Sequence, residues 1–232
     1  MKFSAARSDL DSMVVEIELT LVSIIQGVAL TVLIENAHTL VSESRLFFWP
    51  YVVAGLLVIF VFWSRAVLHI ITVIRWPLEF GHNFLYIACA LVEAILFAQV
   101  GKPAAWFAFA TGFSAIGWTL FVYDLRLIHA RMRDSAGPIS NQLSARVLCD
   151  QRLNISLLLP AMFFLNLFCA IVVRSWPEKF IAANAHIWLI GFQIVCFAAY
   201  LAYVVRFYVG LAPLIAQARS EWRGTADSRE QS

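Results

Sequence analysis

The sequence predicts a single all-α, polytopic membrane domain with six transmembrane helices and both termini in the cytoplasm. Two features of the composition favour this class: 61% of the 232 residues are hydrophobic, and only 14% are charged. Soluble domains are typically about 45–50% apolar and about 25% charged. The third observation is that six separate segments each supply about 20 mostly apolar residues, the length needed to cross a bilayer. The net charge of only +2 argues against a nucleic-acid-binding protein.

The six predicted spans follow one another with short connections. They comprise residues 13–34, 47–74, 82–100, 104–128, 155–173 and 185–209, and residues 210–232 form a short cytoplasmic tail. Pro50 suits the first turn of the second helix. The sequence Gly-Lys-Pro at residues 101–103 predicts a tight turn between spans three and four, and the longest loop contains "DSAGPISN".

The distribution of basic residues predicts the orientation of the spans. With the N-terminus inside, four of the 17 lysines and arginines lie on the outer side, namely Arg45, Lys102, Arg174 and Lys179. This bias agrees with the excess of basic residues that cytoplasmic loops carry. We therefore expect an integral protein of the cell (inner) membrane of a prokaryote, with both termini in the cytoplasm.

Small and polar residues follow one face of span one. They are Glu16, Thr20, Ser23, Gly27 and Thr31, with Gln26 beside them. Residues at this spacing share a face because an α-helix repeats every 3.6 residues. Such a face either lines a pore or packs closely against another membrane helix. The sequence leaves both alternatives open.

Glu93 lies near the middle of span three, about 16 Å from the start of that span at a rise of 1.5 Å per residue. Because desolvation disfavours the charged form of a carboxylate, this residue is a candidate proton site or cation ligand. The alternative is a neutral glutamate that hydrogen-bonds to another helix. Asn166 and Gln193 lie at a similar depth, and we expect them to join helices.

Arg65 follows the strongly apolar part of span two, which ends at Trp63. We expect its side chain to extend toward the cytoplasmic headgroups, on an amphipathic extension whose same face carries His69, Thr72 and Trp76. Asp124 lies at a similar depth at the inner end of span four. The sequence therefore predicts a structural ion pair between Arg65 and Asp124.

Enzyme motifs and phosphate-binding loops are not found in the sequence. Two ExxH elements end at His38 and His82, a pattern that di-metal helical bundles use. Their predicted positions at opposite ends of the bundle prevent them from sharing a metal pair. The four cysteines also lack the spacing of a zinc site or a disulfide framework. We therefore expect no catalytic residues, no metal centre and no cofactor.

Three short sequences carry a resemblance to a known family: "SIIQGVALTVLI" at residues 23–34, "FW" at 62–63 and "NFLY" at 83–86. With six spans and short outer loops, they resemble the six-helix lysosomal-type potassium channels of lysosomes and bacteria. The resemblance implies that span one lines an oligomeric pore, with Ile24, Val28 and Leu33 as candidates for a constriction. The family has an arginine and a Phe-Ser-Asp triplet in this helix, where this chain has Thr20 and Ile-Ile-Gln at residues 24–26.

These observations predict an oligomeric ion channel or channel-like protein that conducts a cation or protons. The pore-lining or transport candidates are Glu93, Ser23, Gln26, Gly27, Thr31, Ile24 and Val28. Because a single chain with six spans encloses little volume, we expect the pore at the axis of a homo-oligomer. The expected partners are the lipid bilayer, further copies of this chain and a monovalent cation or proton, and no nucleic acid. The alternative is a non-conducting structural or accessory subunit that packs against partner membrane proteins.

Overall fold

The apolar segments form long helices in the computed structural model, which describes residues 2–73, 79–134 and 138–230. Within these ranges the chain is helical and contains no β-strand. The α-helices are α1 (Lys2–Ser42), α2 (Trp49–Thr72), α3 (Phe80–Phe97), α4 (Pro103–Asp134), α5 (Pro138–Leu153), α6 (Leu159–Ser175) and α7 (His186–Glu230). A 3₁₀ turn, Leu46–Phe48, precedes α2, and π-helical turns occupy Asn154–Leu158 and Glu178–Ala182.

In the described part of the chain, six helical segments are long and apolar enough to span a membrane. They are Ser12–Ser42, Leu46–Thr72, Phe80–Phe97, Pro103–Ala130, Pro138–Ser175 and His186–Ala218. The prediction of an all-helical chain with six such segments is therefore confirmed. Many large aliphatic and aromatic side chains are exposed on these helices, which is typical of a surface that contacts a membrane or further protein.

The predicted helix starts and turns have the expected local causes. Pro50 lies in the first turn of α2, where its missing N–H leaves no helical hydrogen bond unmade. Gly101 has a φ of +86° in the turn between α3 and α4, a conformation that glycine adopts without steric cost. Helix α4 then begins at Pro103.

The fifth span begins earlier than predicted. Residues 138–153 are polar enough to predict a loop, but they form α5, which continues through the π turn into α6 as one helical run. Leu143 and Val147 are buried in an apolar cluster, and this narrow apolar stripe gives α5 a face to pack. The π turn ends at Leu158, two residues before Pro160, whose ring nitrogen has no hydrogen to donate to the preceding turn.

Helix α7 likewise extends through residues predicted as a cytoplasmic tail. Instead of leaving the bundle after residue 209, the helix continues to Glu230. Leu211, Ile215 and Ala218 are buried in the same apolar cluster as Leu143 of α5. Because α5 extends the bundle at this end, α7 finds an apolar partner there.

Helix α4 packs most extensively against α6 and α3, while α2 packs against α7 and α1. We call the end of the bundle where α2 finishes and α3 begins the α2–α3 end. Its apolar cluster contains Leu68, Ile128 and Leu211. The cluster toward the opposite end contains Tyr51 and Trp106.

A polar network joins α4, α6 and α7 within the bundle. Gln193 donates a hydrogen bond to Oδ1 of Asn166 at 2.6 Å and accepts one from Nε1 of Trp106 at 3.0 Å. Asn166 and Gln193 are both buried, each with 1% of its surface exposed. The expectation that these two residues join helices is confirmed.

Candidate functional site

A cavity of about 40 Å³ lies at the α2–α3 end, among α2, α3, α4, α5 and α7. Its wall includes five side chains that can carry charge near neutral pH, namely Arg65, His69, His82, Asp124 and Asp150. A cavity needs about 10–15 Å³ to hold one water molecule, so this cavity has room for a few waters. Ionisable groups inside membrane-spanning helices are costly, and they therefore mark candidate functional positions.

Arg65 and Asp150 form a buried ion pair on one side of the cavity. Nη2 of Arg65 lies 2.7 Å from Oδ2 of Asp150, and the two side chains are 8% and 3% exposed. Tyr203 donates its hydroxyl to Oδ1 of the same carboxylate at 2.6 Å. The guanidinium also lies over the ring of Phe121, with 5.0 Å between its carbon and the ring centroid. Each carboxylate oxygen of Asp150 thus has a partner.

The ion pair predicted between Arg65 and Asp124 is replaced by this one. Arg65 is buried inside the bundle and does not extend toward a headgroup region. The reason is that α5, which the sequence predicted as a loop, brings Asp150 next to α2. Asp124 lies in the same cavity but bonds to histidine. Trp76, expected on the face of Arg65, lies outside the described residues.

Two histidines meet Asp124 on the other side of the cavity. Nδ1 of His82 lies 2.7 Å from Oδ1 of Asp124, and Nε2 of His69 lies 3.7 Å from Oδ2. The two imidazole rings are stacked, with centroids 5.0 Å apart and an interplanar angle of 18°. We call His69, His82 and Asp124 the trio. Among the described residues, these are the histidine, cysteine or carboxylate side chains whose donor atoms lie close enough together to bind one metal ion.

Glu18 adds a further buried carboxylate from α1. Only 2% of its surface is exposed, and its Oε1 has no hydrogen-bond partner among the residues that the structure describes. Glu18 and Glu79 both interact electrostatically with His82. Three carboxylates, those of Asp124, Glu18 and Glu79, therefore act on the imidazole of His82.

Glu93 is fully buried and contacts α1 inside the protomer. Nε2 of Gln26 donates a hydrogen bond to Oε2 of Glu93 at 3.0 Å. The remaining oxygens, Oε1 of Gln26 and Oε1 of Glu93, have no hydrogen-bond partner within the described ranges. This contact joins α1 to α3, so Glu93 and Gln26 lie behind the outward face of α1 and not on it.

The other predicted pore candidates lie on the outward face of α1. Ser23, Ile24, Gly27, Val28 and Thr31 are all exposed. The hydroxyl groups of Ser23 and Thr31 donate to the backbone carbonyls four residues earlier, at 2.8 and 2.9 Å. A Cβ added at Gly27 would meet no atom within 4 Å, so packing inside the protomer does not require glycine there.

The structure therefore divides the predicted site residues into three places: the outward face of α1, the α1–α3 contact and the cavity. Leu33, a constriction candidate from the family resemblance, is buried in the core and packs beside Gly55. Sequence reasoning did not single out Asp150 or Glu18, and it treated His82 only as part of an ExxH element. No local spacing signals these three residues, because each lies on a different helix, namely α5, α1 and α3.

The cavity can bind a cation or exchange protons, since it combines imidazoles, carboxylates and room for water. The outward face of α1 can line a path only where further chains cover it, because one protomer leaves it open. Comparison of the chain with protein families, curated proteins and solved structures yields no match.

Proposed function

We propose that this protein is a homo-oligomeric channel that conducts a cation or protons along an axis lined by α1. The single observation that carries the proposal is the exposed polar face of α1, where lipid alone would favour aliphatic side chains. Glu16, Thr20, Ser23, Gly27 and Thr31 are all exposed on it. Polar groups in membrane helices usually face a watery path or another protein surface.

The hydroxyl groups on this face are suited to a water-filled path. Thr20, Ser23 and Thr31 each donate to a carbonyl of their own helix, so their hydrogens are satisfied without a neighbouring chain. Each hydroxyl oxygen keeps acceptor capacity after donating. It can therefore accept from water or contact a cation.

Acidic residues at both ends of the stripe favour a cation over an anion. Glu16 and Glu35 are exposed near the two ends of α1's apolar segment. They are 19 residues apart, or about 28 Å at 1.5 Å per residue, close to the hydrocarbon thickness of about 30 Å. In an oligomer these residues would form a ring of carboxylates at each mouth, which is a feature of cation-selective pores.

Two aliphatic side chains flank the stripe at its middle. Ile24 and Val28 are 61% and 59% exposed, as expected if they formed the hydrophobic constriction that the family resemblance implies. Hydrophobic constrictions gate pores by excluding water. We propose that the α2–α3 end faces the cytoplasm, because 13 of the 17 lysines and arginines fall on that side of the predicted topology.

A specific observation also favours a second candidate function, that of a non-conducting accessory subunit. Small residues such as Gly27 and Ser23 allow close approach of another helix, and no atom of the protomer occupies the space beside Gly27. In that case, α1 would pack against a different membrane protein. Such a protein would co-purify in a fixed ratio, whereas the channel proposal requires a complex of this chain alone.

Reconstitution of the purified full-length chain into liposomes tests the proposed function. We expect flux of potassium, sodium or protons that depends on the protein and runs down the ion gradient. Absence of flux for all three, from protein that elutes as a homogeneous oligomer, would contradict the channel. The control is the same preparation heated until its helical circular dichroism is lost before reconstitution.

A further inference from the structure

We propose that His69, His82 and Asp124 form a binding site for a divalent first-row transition-metal ion such as Zn²⁺. The site lies in the cavity at the α2–α3 end and is separate from the outward face of α1 that carries the proposed function. Its three ligands come from α2, α3 and α4. A bound ion would tie these three helices together.

The positions of the donor atoms support the site. One ligand atom from each residue lies within 4.8 Å of the others. Two atoms that each bind one ion at about 2.0–2.2 Å lie about 3–4.4 Å apart. Side-chain movements of about 1 Å would therefore bring the three donor atoms to metal-binding distances. The adjoining cavity has room for a water molecule in the open coordination position.

His69 presents a ligand atom that the protein itself leaves unused. Its Nε2 has no hydrogen-bond partner in the part of the chain that the structure describes, although its side chain is only 11% exposed. Buried polar atoms almost always have a partner, so each exception requires an explanation. A metal ion would be the partner that this nitrogen lacks.

The balance of charge also favours a divalent cation. Arg65 is paired with Asp150, so the carboxylates of Asp124 and Glu18 remain without a fixed cation when both imidazoles are neutral. Uncompensated charge in a buried site is costly. A divalent ion would compensate the carboxylate of Asp124 directly and would also attract that of Glu18, which interacts electrostatically with His82. Arg65 interacts unfavourably with a positive charge at His69, but its pairing with Asp150 reduces this repulsion.

The types of ligand indicate the class of metal. Imidazole nitrogen suits Zn²⁺, Fe²⁺, Ni²⁺ and Cu²⁺, whereas Mg²⁺ and Ca²⁺ prefer sites built from oxygen. Two imidazoles and one carboxylate leave coordination positions open for water. Metal binding through Nδ1 of His82 would move the hydrogen that this nitrogen donates to Asp124 onto Nε2, whereas a doubly protonated imidazole has no lone pair for the ion. Affinity should therefore fall in acid.

Metal analysis of the full-length chain in detergent tests the site, after removal of any polyhistidine tag and treatment with chelator. We expect one Zn²⁺ per chain to bind, and bound Co²⁺ to show visible d–d absorption. Zn²⁺ should raise the melting temperature of the wild-type protein, since a ligand of the folded state stabilises it. A folded wild-type chain that retains no stoichiometric metal would overturn the proposal.

The variants His69→Gln, His82→Gln and Asp124→Asn should lose this binding, with affinity reduced at least about 100-fold. His38→Gln and His129→Gln are matched controls, because neither residue belongs to the trio, and both should bind like wild type. If Asp124→Asn fails to fold, His69→Gln remains decisive, because its Nε2 makes no hydrogen bond to lose within the described residues. Undiminished binding by His69→Gln would refute the assignment of His69 as a ligand.

Discussion

Arg65 and Asp150 form an ion pair with an N–O distance of 2.7 Å, although 85 residues separate them in sequence. The pair joins α2 to the helical run that contains α5 and α6. Tyr203 of α7 donates a hydrogen bond to the same carboxylate, so Asp150 links three helical segments. A charge on an apolar helix is thus held by contacts inside the bundle.

Loss of one member of this pair should destabilise the protein strongly. We expect Arg65→Met to lower the free energy of unfolding by about 3–5 kcal/mol, because Asp150 would remain as a buried charge without its cation. The double variant with Asp150→Leu should lose less than Arg65→Met alone. Chemical denaturation in detergent measures both quantities.

Arg45 supplies the matched control for this measurement. It pairs with Glu43 at 3.2 Å, but the two side chains are 45% and 51% exposed. We expect Arg45→Met to cost at most about 1 kcal/mol, since exposed ion pairs contribute little. Equal losses for Arg45→Met and Arg65→Met would show that burial of the Arg65 pair has no energetic consequence.

Replacements of Glu93 should separate the contribution of its hydrogen bond to stability from the contribution of its charge. In Glu93→Gln, the new amide can donate to Oε1 of Gln26 while still accepting from its Nε2, so we expect no loss of stability. Glu93→Leu leaves the Gln26 amide buried without a partner and should cost about 1–3 kcal/mol. The double variant Gln26→Leu with Glu93→Leu should recover most of that loss. Thermal unfolding of the four proteins provides the comparison.

The same Glu93→Gln variant also tests a role in transport. Glu93 lies at the contact between α1 and α3 and not on the outward face of α1. A pore lined by that face should therefore conduct normally in this variant. Liposome flux at several pH values measures this. A changed pH dependence, with stability unchanged, would instead place Glu93 on the conduction path.

A bulky side chain at Gly27 should block the proposed path. The protomer has space for it, because a Cβ at this position meets no atom within 4 Å. We expect Gly27→Phe to fold normally and to reduce ion flux to a small fraction of wild type. Gly117→Phe is the control, since Gly117 of α4 has equally open surroundings but lies off the α1 face. Normal flux in Gly27→Phe oligomers would show that α1 does not line the conduction path.

Neutralising the acidic ends of the stripe should weaken cation selectivity. With Glu16→Gln and Glu35→Gln together, we expect the reversal potential under a potassium chloride gradient to move toward zero, because both carboxylate rings are lost. Glu178→Gln serves as a control, because this exposed residue lies in the π turn between α6 and α7. An unchanged reversal potential in the double variant would argue against carboxylate rings at the mouths.

Local patterns predicted much of the fold. Runs of apolar residues identified six helices, and the proline and glycine signals placed the starts of α2 and α4, since each depends on neighbours in sequence. Helix α5 was missed because its composition is polar. Its apolar stripe of Leu143 and Val147 is narrow and acquires a partner only when α4 and α7 lie beside it.

The sequence by itself determined the helical class, the number of apolar spans and the polar stripe on α1. These properties follow from hydrophobicity and helical periodicity along a single segment. Only the tertiary structure decided that Arg65 pairs with Asp150, that Gln26 bonds to Glu93, and that His69 and His82 share Asp124. The physical reason is that several residues at each helix end lie at similar depth. Which of them meet depends on how the helices are rotated and packed, a property of the whole bundle.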